Sequence, residues 1–525
     1  MDKEELIIQL SSVIEKDALI TEISEREYFS MDVFDIDQIT DLVIQPKSKK
    51  EISEALKILS STEYQVIPRG GGMSYTGGYT PSSERSVIID TSLLNEVIEI
   101  NIEDMYITVE AGCTWKKIYD VLKPMGLRLP FFGTNSGAMA TVGGGLSNGA
   151  LFFGTGTYGS AADNVLGMEI VIANGTLIKT GQNAFANAKP HHRTYGPDLT
   201  GLFCHDAGAL GIKVQATFPL IYWPKAIDYL SFAYTNLEDA IAALSSISKS
   251  GLTEECYVLD PSSAGNLTDI SNIEGAKSVL KVFSEQSNIL KSISESMKMA
   301  FSGRNVIPED AYSLHMVLAN HSMETISQDL KYAKTLAREH NGISIPNTVP
   351  KATRADPFPP MNGILGHTGE RWAALNAKVP HSDALKVNQE IIDLMERYKK
   401  RMDDCGVWYT LLNIGIQQHS YSIEPVLRWM DEWSELHKRT AEKSFLSKFE
   451  EPELNQPARE LVYEIREEIV NYFASIGAAS NQIGRAYNYL EYLHSPTKDL
   501  LLSIKKNVDP ECKMNTGVLG IDENC

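Results

Sequence analysis

Hydrophobic positions recur first at helical and then at strand spacing over the opening two hundred or so residues. MDKEELIIQLSSVIEKD reads as an amphipathic helix, with too many acids and too short an apolar run for a signal peptide. From Leu42 the order is strand, turn, helix: LVIQP, then Ser48 three residues ahead of Glu51 as a capping box for EISEALKILSS. Strands over Tyr64–Pro68 and Val87–Asp90 enclose a glycine-rich loop. Two further β-rich runs, Glu96–Ile100 and Met105–Glu110, precede a helix over Thr114–Met125. Met168–Ala173 and Thr176–Lys179 flank Asn174-Gly175, a hairpin turn. Near Pro224 the texture changes. Leu237–Lys249, Ile270–Met299 and Ser382–Arg401 are helix-like, Ser313–Ala319 and Trp408–Ile416 strand-like, and the stretch beyond residue 460 is again helical. Alternation of this kind predicts a second α+β domain after an α+β first one.

Two glycine-rich stretches stand out: RGGGMSYTGG, Arg69–Gly78, and GAMATVGGGLSNG, Gly137–Gly149. Glycine admits positive φ and close approach, so successive N–H groups can converge on phosphate oxygens. A Walker loop requires a Lys after its last glycine, and none follows here. A nicotinamide-type GxGxxG opens a helix, whereas Gly70–Gly78 leads to a strand. The first run therefore reads as a phosphate loop between strands.

Charge and cysteine content narrow the partners. With 48 basic and 68 acidic side chains the net charge is -20, which opposes nucleic acid and favours a small-molecule substrate. Six cysteines without a CxxC pair suggest neither zinc nor a disulfide framework, and a reducing, cytoplasmic setting is expected. No apolar run approaches the length of a membrane span.

The blocks VIQPKSKKEI, VIPRGGGMSYTGG, VIIDTSLLNEVIEIN, TVEAGCTW, TVGGGLSNGA, YGSAADNVLGMEIVIANGTLIKTG and YGPDLTGLFCHDAGALGI occur in this order, and VDPECKMNTGVLGI closes the chain. In these blocks the sequence resembles the vanillyl-alcohol oxidase and p-cresol methylhydroxylase superfamily of FAD-dependent oxidoreductases. The resemblance implies a two-domain α+β fold: residues 1–225 bind FAD, 226–460 form a cap over the flavin, and 461–525 return to the FAD domain. It implies that Arg69, Gly70, Gly71, Gly72, Met73, Ser74 and Tyr75 cradle the pyrophosphate. Thr141, Gly143, Gly144, Asn148, Gly149, Asn164, Gly211, Ile212 and Asn515 would complete the FAD site. Met73 and Met139 occupy the places where relatives carry a linking His or Cys, so FAD is expected to be noncovalent, with His367 of the cap a candidate anchor.

The chemistry implied is hydride removal from an alcohol, hydroxy acid or phenol, with oxygen or a redox partner as acceptor. Arg485 of IGRAY would orient an anionic or phenolic group, Tyr75 would lie in the first loop beside the substrate, and His419 is what remains of the metal-associated motif of the hydroxy-acid branch; no metal is expected. The phenol branch is weakened by Ser160 in place of its aspartate and Gly484 in place of a tyrosine. Tyr421, Glu424, Arg428, His437, Lys438 and Arg439 are further polar candidates of the cap, and Tyr487, Tyr489 and Tyr492 read as aromatic packing. His419 and Glu424 have opposite strand parity, which counts against both being catalytic. A non-redox FAD enzyme resembling alkylglycerone-phosphate synthase, an FAD-binding protein without turnover, and a homo-oligomer are the alternatives left open.

Overall fold

The structure is a computed structural model describing residues 1–263, 310–523 and 525, so the helix expected over Ile270–Met299 lies outside the described residues. The N-terminal helix, Lys3–Leu10, starts where Asp2 accepts the Glu5 N–H and buries Leu6 and Leu10. They pack on a four-stranded sheet ordered Leu19–Ile20, Leu42–Ile44, Ser86–Asp90, Gln65–Arg69, the last three parallel. Leu42–Ile44 and Ser86–Asp90 are buried throughout, as parallel strands covered on both faces require. Ser48 caps the helix Lys49–Ser60 as expected, and Ile52, Ala55, Leu56 and Leu59 form its buried stripe.

A second, antiparallel sheet is ordered Val97–Asn101, Tyr106–Glu110, Ile212–Pro219, Gly167–Val171, Leu177–Lys179. Its last two strands are the hairpin expected around Asn174-Gly175; Gly175 has φ 82°. The first glycine loop leaves the C-terminal end of Gln65–Arg69, the edge at which open α/β sheets place ligands.

The cap is a sheet ordered Ile343–Ser344, Ala226–Tyr234, Tyr312–Asn320, Glu255–Leu259, Val407–Ile416, Ser420–Trp429, Arg371–Ala374, with Ala377–Val379 also paired to Ser420–Trp429. Helices Leu237–Ser250, Met323–Glu339 and Ala384–Cys405 share one core with one face of this sheet. The helix Gln456–Ser475 joins the same core through Leu461, Ile465, Ile469 and Phe473. Only beyond it does the chain return. Met514 then bridges Val66 in parallel, extending the first sheet at the glycine-loop strand. One expectation is corrected here: Cys512 and Cys525 form a disulfide, thirteen residues apart and without a CxxC signature, where a tight C-terminal turn folds the chain end back; Cys113, Cys204, Cys256 and Cys405 are free.

Candidate active site between the glycine loops and the cap

The two glycine loops touch. A Cβ at Gly70 would stand 2.3 Å from Thr141 Oγ1, and one at Gly71 would stand 1.9 Å from the Met139 carbonyl oxygen, so only glycine lets the loops meet. Thr141 caps the six-residue helix Val142–Ser147 by accepting the Gly144 N–H, which starts the second loop's turn where the first arrives. Between the two sheets the loops leave a cleft of about 460 Å3 lined by Arg69, Gly70, Gly71, Met139 and Thr141, with Asp90 and Lys117. The buried Arg69 guanidinium faces it from a cage of Tyr28, Phe29 and Tyr79, with Asp90 3.9 Å away and with Nε and Nη2 lacking a hydrogen-bond partner. Buried donors without acceptors fit a phosphate-bearing ligand.

Other expected ligands are spent within the protein. Asn164 Nδ2 donates to the Tyr158 and Ser160 carbonyls at 2.8 and 2.7 Å. Asn515 Nδ2 donates to the Gly78 and Ala207 carbonyls at 2.7 and 2.5 Å, tying the C-terminus to the first loop. Ser74 Oγ donates to Gln482 Oε1 at 2.9 Å, Ile212 is buried in the core of the first sheet, and Gly211 packs against Ile170. Asn148 keeps a buried, unpartnered Oδ1 beside Gly78; Gly149, at φ 64°, stands against His205, Gly143 against Ala111, Gly72 against Arg69, and Met73 in an apolar cluster with Met31 and Trp433.

Next to the first loop the cap contributes a polar wall. Alternation sends Leu411, Tyr421, Ile423 and Leu427 into the cap core and turns Thr410, Leu412, Ile414, Ser422, Glu424 and Arg428 to the opposite face. Ile414 on that face, like Tyr257 beside it, packs into the core of the FAD-binding half, so Glu424 faces that half too. Tyr75 meets Trp372 edge to face at 5.4 Å. The buried Arg466 donates 2.9 Å bonds to the Tyr75 and Ala374 carbonyls. The Tyr487 hydroxyl donates to the Asn376 carbonyl at 2.9 Å and accepts the Asn376 N–H at 3.0 Å, so it fixes a strand end rather than merely packing. Burial raises the Tyr75 hydroxyl, and a hydrogen bond with the Asn376 side chain opposes that rise, while Asn376 Oδ1 accepts from Ser480 Oγ and the Asn481 N–H.

Glu424 is the outlier of this wall. It is half-buried, and among the described residues its carboxyl has no hydrogen bond or ion pair. Burial, with nothing to offset it, pushes the carboxyl up to about 7. Its charge acts on Tyr75 and Tyr487, whose hydroxyls burial already raises, Tyr487 to about 12.

Two expectations for the chemistry are corrected, those for Arg485 and His419. Arg485 spends its fork on the chain: Nη1 donates to the Gly77 carbonyl and Nη2 to the Thr516 carbonyl, both at 2.6 Å, and Nη2 also reaches Asn515 Oδ1 at 3.2 Å. Both terminal nitrogens are thus bound to the chain, while the buried Nε has no hydrogen-bond partner among the described residues. His419 lies exposed in the turn between Val407–Ile416 and Ser420–Trp429, off the polar wall. His437 is buried as half of a capping box with Ser434 and burial depresses it to about 3; Arg439 pairs with Glu25 and Glu435, and Lys438 with Glu451, so this run is no anion site. Ser160 N–H and Oγ both donate to Asp163 Oδ2, a second capping box, and His367 is exposed. Sequence reasoning missed Asn376, Trp372 and Arg466, which no motif marks.

The first sheet, both glycine loops and the strand Gly167–Val171 define the class. Residues 40–181 match the family described as FAD binding domain, and the cofactor is FAD. The fold is similar to that of solved structures: p-cresol methylhydroxylase with substrate bound matches at a TM-score of 0.74 over 99% of this chain and 97% of that one, at 16% identity, and alkyldihydroxyacetonephosphate synthase at 0.67 over 98% and 85%, also at 16%. Among sequence relatives, the mitochondrial D-lactate dehydrogenase [cytochrome] 1 of Saccharomyces cerevisiae is 32% identical over 40% of this chain and 35% of its own length. Glycolate oxidase subunit GlcD of Bacillus subtilis is 31% identical over 39% and 42%. The chain thus spans well under half the length of the curated relatives it matches.

Proposed function

We propose that this chain is an FAD-dependent oxidoreductase of hydroxy acids, with Glu424 taking the hydroxyl proton as the carbinol hydrogen leaves as hydride. FAD, when bound, supplies the two-electron acceptor. Arg69 and the backbone N–H groups of Gly70, Gly71 and Gly72 would hold its pyrophosphate against the cleft. The observation that carries the reading is the unpartnered Glu424 carboxyl, half-buried beside the loop that bears Tyr75 and poised near pH 7, where a general base works best. Tyr75, Trp372 and Tyr487 wall the space, with the Asn376 side chain beside the Tyr75 hydroxyl. D-lactate, glycolate and 2-hydroxyglutarate enzymes among the relatives support the hydroxy-acid class.

The test is anaerobic mixing of the FAD-loaded protein with 2-hydroxy acids while flavin bleaching is followed. Bleaching by at least one of them is expected, with a rate that rises with pH through about 7, the value burial imposes on Glu424. Glu424→Gln should slow it by about 10²–10⁴ with FAD content unchanged. Bleaching at the original rate in that variant would remove Glu424 from the chemistry.

A further inference from the structure

One cation on the polar wall makes no ion pair among the described residues. Lys378 pairs with Ser422 across the ladder between Ala377–Val379 and Ser420–Trp429, while its neighbours Ala377 and Val379 lie in the cap core. Its side chain therefore leaves the sheet on the same face as Ser422 and Glu424. Its backbone is pinned on the other edge as well, donating to the Ala479 carbonyl at 2.6 Å and accepting the Ala479 N–H at 3.1 Å. Lys378 is half-buried, and among the described residues Nζ has neither hydrogen bond nor ion pair. The charged and titratable groups that act on it are Asp163 and His205 of the FAD-binding half. Asp163 Oδ2 is already taken by the Ser160 N–H and hydroxyl, and His205 Nδ1 lies 3.2 Å from the Asn481 carbonyl oxygen. Burial lowers the ammonium from its ordinary value, the sign of a cation held away from water.

A desolvated ammonium is costly until an anion joins it. Glu424 stands two residues along the strand from Ser422, hence diagonal to Lys378, a separation of about 7–8 Å that is somewhat less at Cβ. Two long side chains on that diagonal can reach one small molecule between them, a cation at one end and a base at the other.

Resting on the hydroxy-acid reading above, we infer that Lys378 is the carboxylate-binding residue of the substrate site, holding the acid group while Glu424 faces the hydroxyl. The arrangement assigns the substrate its polarity: a carboxylate toward Asp163 and His205, a hydroxyl toward Tyr75. It also supplies the cation that Arg485, committed to the chain, does not.

An unreactive probe separates this inference from the reaction itself. 2-Hydroxy-2-methylpropanoate carries both groups but no hydrogen on its carbinol carbon, and 2-hydroxy-2-methylpropanamide is its neutral counterpart. Calorimetric titration of the FAD-loaded protein should show the acid binding at least tenfold more tightly than the amide. Lys378→Met should abolish that preference with the amide unaffected, and Lys378→Arg should restore most of it. Equal affinity for acid and amide in the unaltered protein overturns the inference without any variant. So does an acid preference that survives Lys378→Met, or a change confined to flavin potential and sulfite affinity, which would assign the cation to the cofactor. If the acid preference is found but no hydroxy acid bleaches the flavin, the reaction fails and the anion site stands.

Discussion

Arg485→Met decides between two roles for one residue, a substrate anchor or a clamp. In the structure the segment Gly484–Ala486 docks on the first glycine loop: the Arg485 and Ala486 N–H groups both donate to the Thr76 carbonyl, and the guanidinium reaches on to Gly77, Thr516 and Asn515. Burial pushes the guanidinium down only to about 10, so it remains charged at neutral pH. A hydrogen bond to a charged group contributes about 1.5–3 kcal/mol, and a buried acceptor left unmade costs about 1–3 kcal/mol. Two short bonds to carbonyls are lost, while the backbone bonds to Thr76 survive and methionine fills part of the volume. A loss of about 3–5 kcal/mol is expected, a large share of the roughly 5–15 kcal/mol that holds a typical domain. Urea denaturation followed by circular dichroism would show the lower midpoint, and flavin fluorescence would show FAD released earlier than in the unaltered protein. Unchanged stability and FAD retention, together with loss of bleaching by hydroxy acids, would refute the clamp and restore Arg485 to the substrate.

Glu424→Gln should stabilise the protein. Because the carboxyl's folded value is raised to about 7, the folded state binds its proton more tightly than the unfolded chain does; the resulting stability is present below about 4.5 and lost as pH rises through 7. The gain from the neutral isostere should therefore grow over that window to at most about 3 kcal/mol at pH 8, less whatever solvent reaches the group; melting at pH 5 and pH 8 reads the difference, and equal shifts would contradict it. Gly71→Ala would force a Cβ against the Met139 carbonyl, and overpacking of this kind costs about 1–3 kcal/mol, so the ratio of flavin to protein absorbance should fall; full FAD occupancy would mean the loops can part. Acid precipitation should release all flavin into the supernatant, since a thioether at Met73 or Met139 cannot form the linkage; flavin retained on the denatured chain by mass spectrometry would contradict it.

The FAD-binding half was legible because its signals are local. A capping serine at Ser48, apolar runs at Leu42–Ile44 and within Ser86–Asp90, the Asn174-Gly175 turn and two glycine loops each announce themselves within a few residues. The cap was less legible. Arg371–Ala374 and Ala377–Val379 are short and alanine-rich, so they carry little strand propensity; tertiary pairing with Ser420–Trp429 makes them strands. Lys378 and Asn376 have significance only through that pairing. Arg485 misled for a related reason: a fork that suits a substrate anion suits backbone carbonyls equally, and only the return of the C-terminal segment reveals which it meets.

The first glycine loop is held from three parts of the chain that are remote in sequence. Asp32 accepts the Gly77 N–H from the N-terminal side, Arg466 of the last cap helix holds the Tyr75 carbonyl, and Asn515 with Arg485 holds Gly77 and Gly78 from the C-terminal side. On the far side of the domain boundary a buried cluster, Arg128 and Arg354 with Glu254 and Glu255, joins the second sheet's half to the cap. Breaking either connection leaves charges or carbonyls unpaired in the interior, so the cap cannot swing away without a penalty of several kcal/mol. Glu424 and Lys378, on strands of that fixed cap, are thereby held in place over the loops before any ligand arrives. A ligand gripped by the loops in turn stabilises both chain termini and the cap, because it binds only where all three meet. Cofactor binding and global stability are one equilibrium here, which is why a clamp such as Arg485 reports on both.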